Sequence, residues 1–128
     1  MKFKHALLID DNNIDNYITK HIITQSKKAD RITIKNSAIK ALEYLNTINH
    51  ANEEFIDIIF LDINMPEMDG FDFLDELIKF PEEIIAKTSV FMLTSSDHPK
   101  DINRATQYSV VKKYIVKPLT DDILNDLK

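Results

Sequence analysis

At 128 residues, the chain has room for one compact domain with its own hydrophobic core. Its formal net charge of −5 argues against nucleic-acid binding by the bulk surface, and its lack of cysteine excludes disulfides, thiolate metal sites and cysteine nucleophiles. The apolar run near the start is too short for a signal peptide or a membrane span, so the sequence predicts a cytoplasmic protein without a membrane partner.

Predicted strands and helices alternate five times along the chain. In chain order, the predicted strands cover residues 6–9, 30–35, 58–61, 89–93 and 110–116. The helices that follow them are predicted from apolar stripes at Ile14, Tyr17, Ile18 and Ile22; at Ala38, Ala41, Leu42, Leu45 and Ile48; at Phe71, Leu74, Leu77 and Ile78; at Ile102 and Ala105; and at Ile123, Leu124 and Leu127. Such alternation with short connections predicts an α/β fold, a parallel sheet covered by helices on both faces, with residues 1–128 as one domain.

The central stretch of the chain runs from Asp57 to Gly70. Its apolar residues 58–61 are typical of a strand buried on both faces, and the strand stops on Asp62. A carboxylate there leaves the sheet at its carboxyl end, where open α/β sheets place their ligand crevices. Taken alone, a strand-end aspartate before a loop rich in turn formers is more typical of a turn or cap residue.

Other polar residues are predicted to meet Asp62 at the same edge of the sheet. Asp10 and Asp11 end the first strand, Thr94 the fourth and Lys117 the fifth. Three carboxylates in one crevice repel each other, and Mg²⁺, which prefers oxygen ligands, relieves that repulsion. A carboxylate held beside a metal, a lysine and a hydroxyl is suited to nucleophilic attack on phosphorus.

These residues, in this order and spacing, resemble the receiver domain of two-component response regulators. The spacing is 51 positions from Asp11 to Asp62, 32 more to Thr94 and 23 more to Lys117. The resemblance covers essentially the whole chain. It implies a CheY-like, flavodoxin-like (βα)5 three-layer sandwich with a parallel five-stranded sheet in the order 2-1-3-4-5.

The resemblance implies a role for each acidic residue. Asp62 resembles the phosphoacceptor of the family. Asp10 and Asp11 resemble its acidic pair, with Asp11 as the direct metal ligand, and Asn64 would lend its backbone carbonyl to the same Mg²⁺ ion. In the alternative interpretation, Asp10 and Asp11 would only mark the start of the first helix.

Three further roles follow from the resemblance. Thr94 and Lys117 would hold the phosphoryl oxygens. Tyr114 stands at the family's aromatic switch position, although an aromatic residue on a strand also serves simply as packing. The bond between Lys117 and Pro118 is predicted to be cis, and Ser96 occupies a position that tunes dephosphorylation in the family.

The function implied is a phosphorylatable signalling switch rather than an enzyme. Its partners would be a sensor histidine kinase or phosphotransfer protein and an unidentified downstream protein, with a phosphorylation-linked dimer as a further option. Two rivals stay open: a degenerate receiver that acts as an interaction module without phosphorylation, and a small phosphatase with a phosphoaspartate intermediate. The phosphatase motif requires an acid two residues after the nucleophile, where this chain has Asn64.

Some features depart from the family pattern or fall outside it. The glycine usually found between the fourth helix and the fifth strand is absent, since Tyr108–Ser109–Val110 stands there. This leaves the end of that helix, and the usual signalling face, undetermined. The four histidines have no metal-ligand spacing and are expected at the surface. The short last helix suits either a stand-alone receiver or an excised one.

Overall fold

The computed structural model describes residues 3–48 and 55–126, so His50, Leu127 and all but the last residue of the polar connection predicted over 49–55 lie outside the described residues. The strands are β1 (Phe3–Ile9), β2 (Ala29–Lys35), β3 (Ile58–Leu61), β4 (Ser89–Thr94) and β5 (Val111–Val116). The helices are α1 (Asn13–Gln25), α2 (Ala38–Thr47), α3 (Gly70–Leu77), α4 (Glu82–Ile85), α5 (Pro99–Ala105) and α6 (Asp121–Asn125). The strands form one parallel sheet in the order β2-β1-β3-β4-β5, which confirms the predicted topology.

The sheet lies between two hydrophobic cores. All four residues of β3 are buried, and alternate side chains contact opposite faces because successive side chains of a strand point to opposite sides. Ile59 and Leu61 belong to the core under α2, α3 and α5. Ile58 and Phe60 belong to the core under α1 and α6. The three-layer architecture is therefore confirmed.

Helix α1 does not bury the stripe that its sequence predicts. Ile14 and Tyr17 are 70% and 71% exposed. The face that α1 turns inward instead carries Asn16, Thr19 and Ile23. The physical reason lies at the start of the helix, where the Asn16 side-chain amide donates a hydrogen bond to the Asp10 carbonyl at 2.8 Å. That bond turns a polar residue toward the sheet and the neighbouring apolar residues toward solvent.

Two other expectations need correction. The sequence did not predict α4, a single turn that begins after Pro81 and leads into β4. His5 is fully buried rather than exposed, because its ring contacts the Thr33 hydroxyl at 2.6 Å and lies edge-on to Tyr44. His21 and His98 are exposed, as predicted.

The turn between α5 and β5 forms without the family's usual glycine. Among the described residues other than glycine, a positive φ occurs at Lys27 and Glu67 and at no position between α5 and β5. The backbone of this turn therefore adopts conformations open to any residue. Within residues 3–48 and 55–126, no helix has both the length and the apolar composition needed to cross a membrane.

Candidate functional site

Asp62 lies directly after β3, at the carboxyl edge of the sheet. Its backbone N–H donates to the Ile9 carbonyl at 3.0 Å, which extends the ladder between β1 and β3 by one bond. One carboxylate oxygen, Oδ1, accepts the N–H of Ile63 at 2.9 Å, and the residue is only 6% exposed. These bonds fix one side of the carboxylate and leave Oδ2 directed at the other polar groups of the crevice.

Gly70 closes the loop that follows Asp62. Its N–H donates to the Ile63 carbonyl at 2.8 Å. A Cβ atom at this position would lie 2.5 Å from the backbone oxygen of Asp62, a separation that real Cβ atoms do not adopt. The one glycine of the chain is therefore required here for close approach of two backbones, not for an unusual φ.

Two further carboxylates enter the crevice from the end of β1. Asp10 is 6% exposed, and its Oδ1 accepts the N–H of Asn12 at 2.9 Å, whereas Asp11 is exposed. One carboxylate oxygen from each of Asp10, Asp11 and Asp62 lies within 4.8 Å of the others. Oxygen ligands so arranged fit a hard divalent cation such as Mg²⁺, which binds through a few carboxylates and keeps several waters.

Lys117 brings a positive charge to the same crevice from the end of β5. Its Nζ lies 2.6 Å from Asp10 Oδ2, 2.7 Å from Asp15 Oδ2 and 3.7 Å from Asp62 Oδ2. The backbone N–H of Lys117 donates to the Thr94 carbonyl at 2.8 Å, and the bond to Pro118 is cis, as predicted. The ammonium therefore hydrogen-bonds two carboxylates and lies just beyond hydrogen-bonding distance of the third.

The protonation of Asp62 reflects these neighbours. Burial raises the pKa of the Asp62 carboxyl above its ordinary value, and the negative charge of Asp10 adds to this. The charge of Lys117, a hydrogen bond from Thr94 and the Ile63 N–H act in the opposite direction without reversing it. For Lys117, burial opposes the charged form, but hydrogen bonds to Asp10 and Asp15 outweigh it and raise the pKa.

Thr94 and Tyr114 approach the site from neighbouring strands. Thr94, at the end of β4, is fully buried, and its hydroxyl accepts the N–H of Ser96 at 3.3 Å. The Tyr114 hydroxyl donates to the Ser96 carbonyl at 2.8 Å. Ser96 thus connects the two residues of the predicted switch, while its own hydroxyl donates to Asp101 Oδ2 at 2.6 Å.

Most of the predicted site residues come together at one edge of the sheet. Those that meet in the crevice are Asp10, Asp11, Asp62, Thr94 and Lys117. Asn64 lies exposed in the loop two residues after Asp62, and its carbonyl's part in metal binding stays a prediction. Sequence reasoning missed Asp15. The signal was present, because Asn12 caps α1 and thereby places Asp15 in its first turn, beside the end of β1.

Comparison with known proteins agrees with this fold. The family model of the response regulator receiver domain matches residues 6–127. The rice two-component response regulators ORR1 and ORR8 are each 29% identical, over 89% and 93% of this chain. The chain spans about half the length of ORR1 (49%) and 90% of ORR8.

Solved structures show the same relationship. A two-component response regulator from Cytophaga hutchinsonii is 32% identical, with a TM-score of 0.89 over 98% of this chain and 94% of that one. The phosphorylated cyanobacterial phytochrome response regulator RcpA is 25% identical, with a TM-score of 0.78 over 96% of this chain and 87% of that one. The chain belongs to the response regulator receiver domain family of two-component systems, a family of signalling domains.

Proposed function

We propose that this receiver, residues 1–128, is a phosphorylatable switch in which Asp62 accepts a phosphoryl group. One observation carries the proposal: the buried Asp62 carboxylate leaves Oδ2 3.7 Å from the Lys117 ammonium and beside the carboxylates of Asp10 and Asp11. Phosphoryl transfer requires a buried acceptor carboxylate, a positively charged hydrogen-bond donor and a site that can hold a metal ion. The structural likeness to the phosphorylated regulator RcpA supports the same conclusion.

The residues would divide the work of transfer between them. A carboxylate oxygen of Asp62 attacks the phosphorus of a donor phosphohistidine; the new O–P bond forms as the P–N bond breaks, and its electron pair stays on the imidazole nitrogen. Asp10, Asp11, Asp62 and the carbonyl of Asn64 would hold Mg²⁺, which would supply positive charge to the phosphoryl oxygens. Lys117 then donates to one phosphoryl oxygen.

The Thr94 hydroxyl would move to donate a hydrogen bond to another phosphoryl oxygen, and Tyr114 would change its position in response to that movement. Attack of water on phosphorus releases inorganic phosphate and restores the Asp62 carboxylate. The donor would be a sensor histidine kinase or a phosphotransfer protein, acting in the cytoplasm. Hydrolysis of the phosphoaspartate is part of the signalling cycle, so the domain would act on no substrate other than its own phosphoryl group.

The test measures intact mass after incubation with Mg²⁺ and a small acyl phosphate. We expect one added phosphoryl group in the wild type, none with a chelator, and none in Asp62→Asn. Asp121→Asn, which removes an exposed carboxylate from the first turn of α6, serves as the matched control and should label fully. Full labelling of Asp62→Asn would mean that another residue is the acceptor, and an unlabelled wild type would favour the interaction module.

A further inference from the structure

Asp15 is a fourth carboxylate at the site, and the function proposed above gives it no role. It lies in the first turn of α1, with its side chain one third exposed. Its Oδ2 is 2.7 Å from Lys117 Nζ, nearly as close as Asp10 Oδ2 at 2.6 Å and much closer than Asp62 Oδ2 at 3.7 Å. Asp15 therefore holds the lysine that would bind a phosphoryl oxygen.

We propose that Asp15 is a positioning residue that competes with the phosphoryl group on Asp62 for the Lys117 ammonium. This inference rests on the proposed function. An ammonium has three donors, and two of them are used by Asp10 and Asp15. Both short contacts hold the ammonium on the side of α1. While they last, its third donor cannot form a short hydrogen bond to a phosphoryl group on Asp62.

Of the two ion pairs of Lys117, the one with Asp15 costs less to break when the lysine moves toward Asp62. Asp10 is buried, and its Oδ2 would lose its ion pair in a place that water reaches poorly. The Asp15 side chain is one third exposed, so water can replace the lysine there at little cost. The four-carbon stem of Lys117 allows the ammonium to pivot about Asp10 toward Asp62.

The sign of the effect follows from which contacts remain. Without the Asp15 carboxylate, Lys117 keeps its 2.6 Å bond to Asp10 and stays in the crevice. It gains a free donor for the phosphoryl oxygens, and the phosphoryl group loses a nearby negative charge that repels it. Because partly exposed ion pairs are weak, we expect Asp15→Asn to tighten binding of a phosphoryl mimic by about threefold, and by less at high salt.

The experiment compares wild type, Asp15→Asn and Glu43→Gln. Glu43 is an exposed acid on α2, on the opposite face of the sheet, so its variant controls for loss of one negative charge. NMR titrations give the affinity for Mg²⁺ alone, and then for beryllofluoride at saturating Mg²⁺. We expect Asp15→Asn alone to bind beryllofluoride more tightly, with Mg²⁺ affinity unchanged. In a Lys117→Met background, Asp15→Asn should give a clearly smaller gain, because only the loss of a negative charge near the phosphoryl mimic remains.

Several outcomes would overturn the inference. Equal or weaker beryllofluoride binding by Asp15→Asn would exclude competition, and an equal gain in Glu43→Gln would reduce the effect to net charge. Weaker Mg²⁺ binding by Asp15→Asn would make Asp15 a metal ligand instead. If Asp15→Asn does not fold, Asp15→Ser is measured by the same criteria. A wild type that binds no beryllofluoride with Mg²⁺ would overturn the proposed function and this inference with it, whereas wild-type binding without the gain would overturn the inference alone.

Discussion

Helices α1 and α2 carry similar apolar patterns in sequence, yet the structure uses them in opposite ways. Helix α2 buries the stripe that its sequence predicts, with Ala41 fully buried and Leu45 only 3% exposed. Helix α1 exposes Ile14 and Tyr17 and buries Asn16. The difference is one of location, because α2 only covers the core, whereas the first turn of α1 lies against the end of β1 and must satisfy polar groups there.

The largest expected effect is a loss of stability from a change in α2, the helix that covers the hydrophobic core. Leu45→Ala in α2 removes a side chain that is 3% exposed and should lower the free energy of unfolding by about 3 kcal/mol. Ile14→Ala in α1, which is 70% exposed, should change it by no more than about 0.5 kcal/mol. Urea denaturation followed by circular dichroism measures both. Similar losses in the two variants would mean that α1 packs through its predicted stripe after all.

Two asparagines, one on each helix, provide a matched test of the buried polar face. Asn16→Ala in α1 leaves the Asp10 carbonyl without its buried donor and should cost about 2 kcal/mol of stability. Asn46 of α2 donates to the Leu42 carbonyl at 2.9 Å but is exposed, so Asn46→Ala should cost about 0.5 kcal/mol or less.

The same pair separates structure from function. Asn16→Ala should also weaken Mg²⁺ binding, because the Asp10 backbone loses a restraint, and Asn46→Ala should leave Mg²⁺ binding unchanged. Urea denaturation and an NMR Mg²⁺ titration report the two quantities. An Asn16→Ala variant as stable as Asn46→Ala would contradict the role assigned to the buried face of α1.

The third test concerns the charge of Asp62, at the edge of the sheet beside the first turn of α1. Burial, followed by the charge of Asp10, raises the pKa of Asp62, so the folded state binds this proton more tightly than the unfolded state. The stability contributed by Asp62 is therefore present below its unfolded pKa and is lost as the pH rises through the raised folded pKa. In the absence of divalent cations, Asp62→Asn should be more stable than wild type at neutral pH, and the gain should vanish in acid.

The measurement is the midpoint of urea unfolding for both proteins as a function of pH, with a chelator present. A gain in stability that stays constant from neutral to acid pH would show that the charge of Asp62 is not its source. A loss of stability at neutral pH would show that its partners, Lys117 and Thr94, outweigh burial in the folded protein.

The smallest expected effect tests the exposed aromatic residue of α1. Tyr17 is 71% exposed and stacks on His21, so Tyr17→Ser should change the free energy of unfolding by about 0.5 kcal/mol at most. Tyr44 of α2 packs against the core, His5 and Lys35, and Tyr44→Ser should cost at least about 1 kcal/mol more. Equal costs in urea denaturation would remove the distinction between the two helices.

The fold and most of the site were predictable from local signals. Strand β3 is short, apolar and buried on both faces, and it matches its predicted bounds. Asp10, Asp62, Thr94 and Lys117 each end or follow a strand, and parallel strands bring their carboxyl ends to one edge. The buried position of His5 was not predictable, because it depends on a contact with Thr33, which is distant in sequence. Turn α4 was not predicted, because its four residues are too few to show a helical period.

By itself, the sequence determined the order of the five strands and of the helices other than α4, and most of the residues gathered at the sheet edge, since these follow from periodicity and strand ends. The need for glycine at position 70 depends on the close approach of two backbones, which only the tertiary structure shows. The tertiary structure alone decided which face α1 turns inward and which carboxylates bind Lys117. The first choice depends on how the first turn of α1 packs against the end of β1, where Asn16 donates to the Asp10 carbonyl. The second depends on where the end of β5 meets the first turn of α1, about 100 residues away in sequence. No local pattern encodes that meeting, and it places Asp15 rather than Asp62 within 2.7 Å of the lysine.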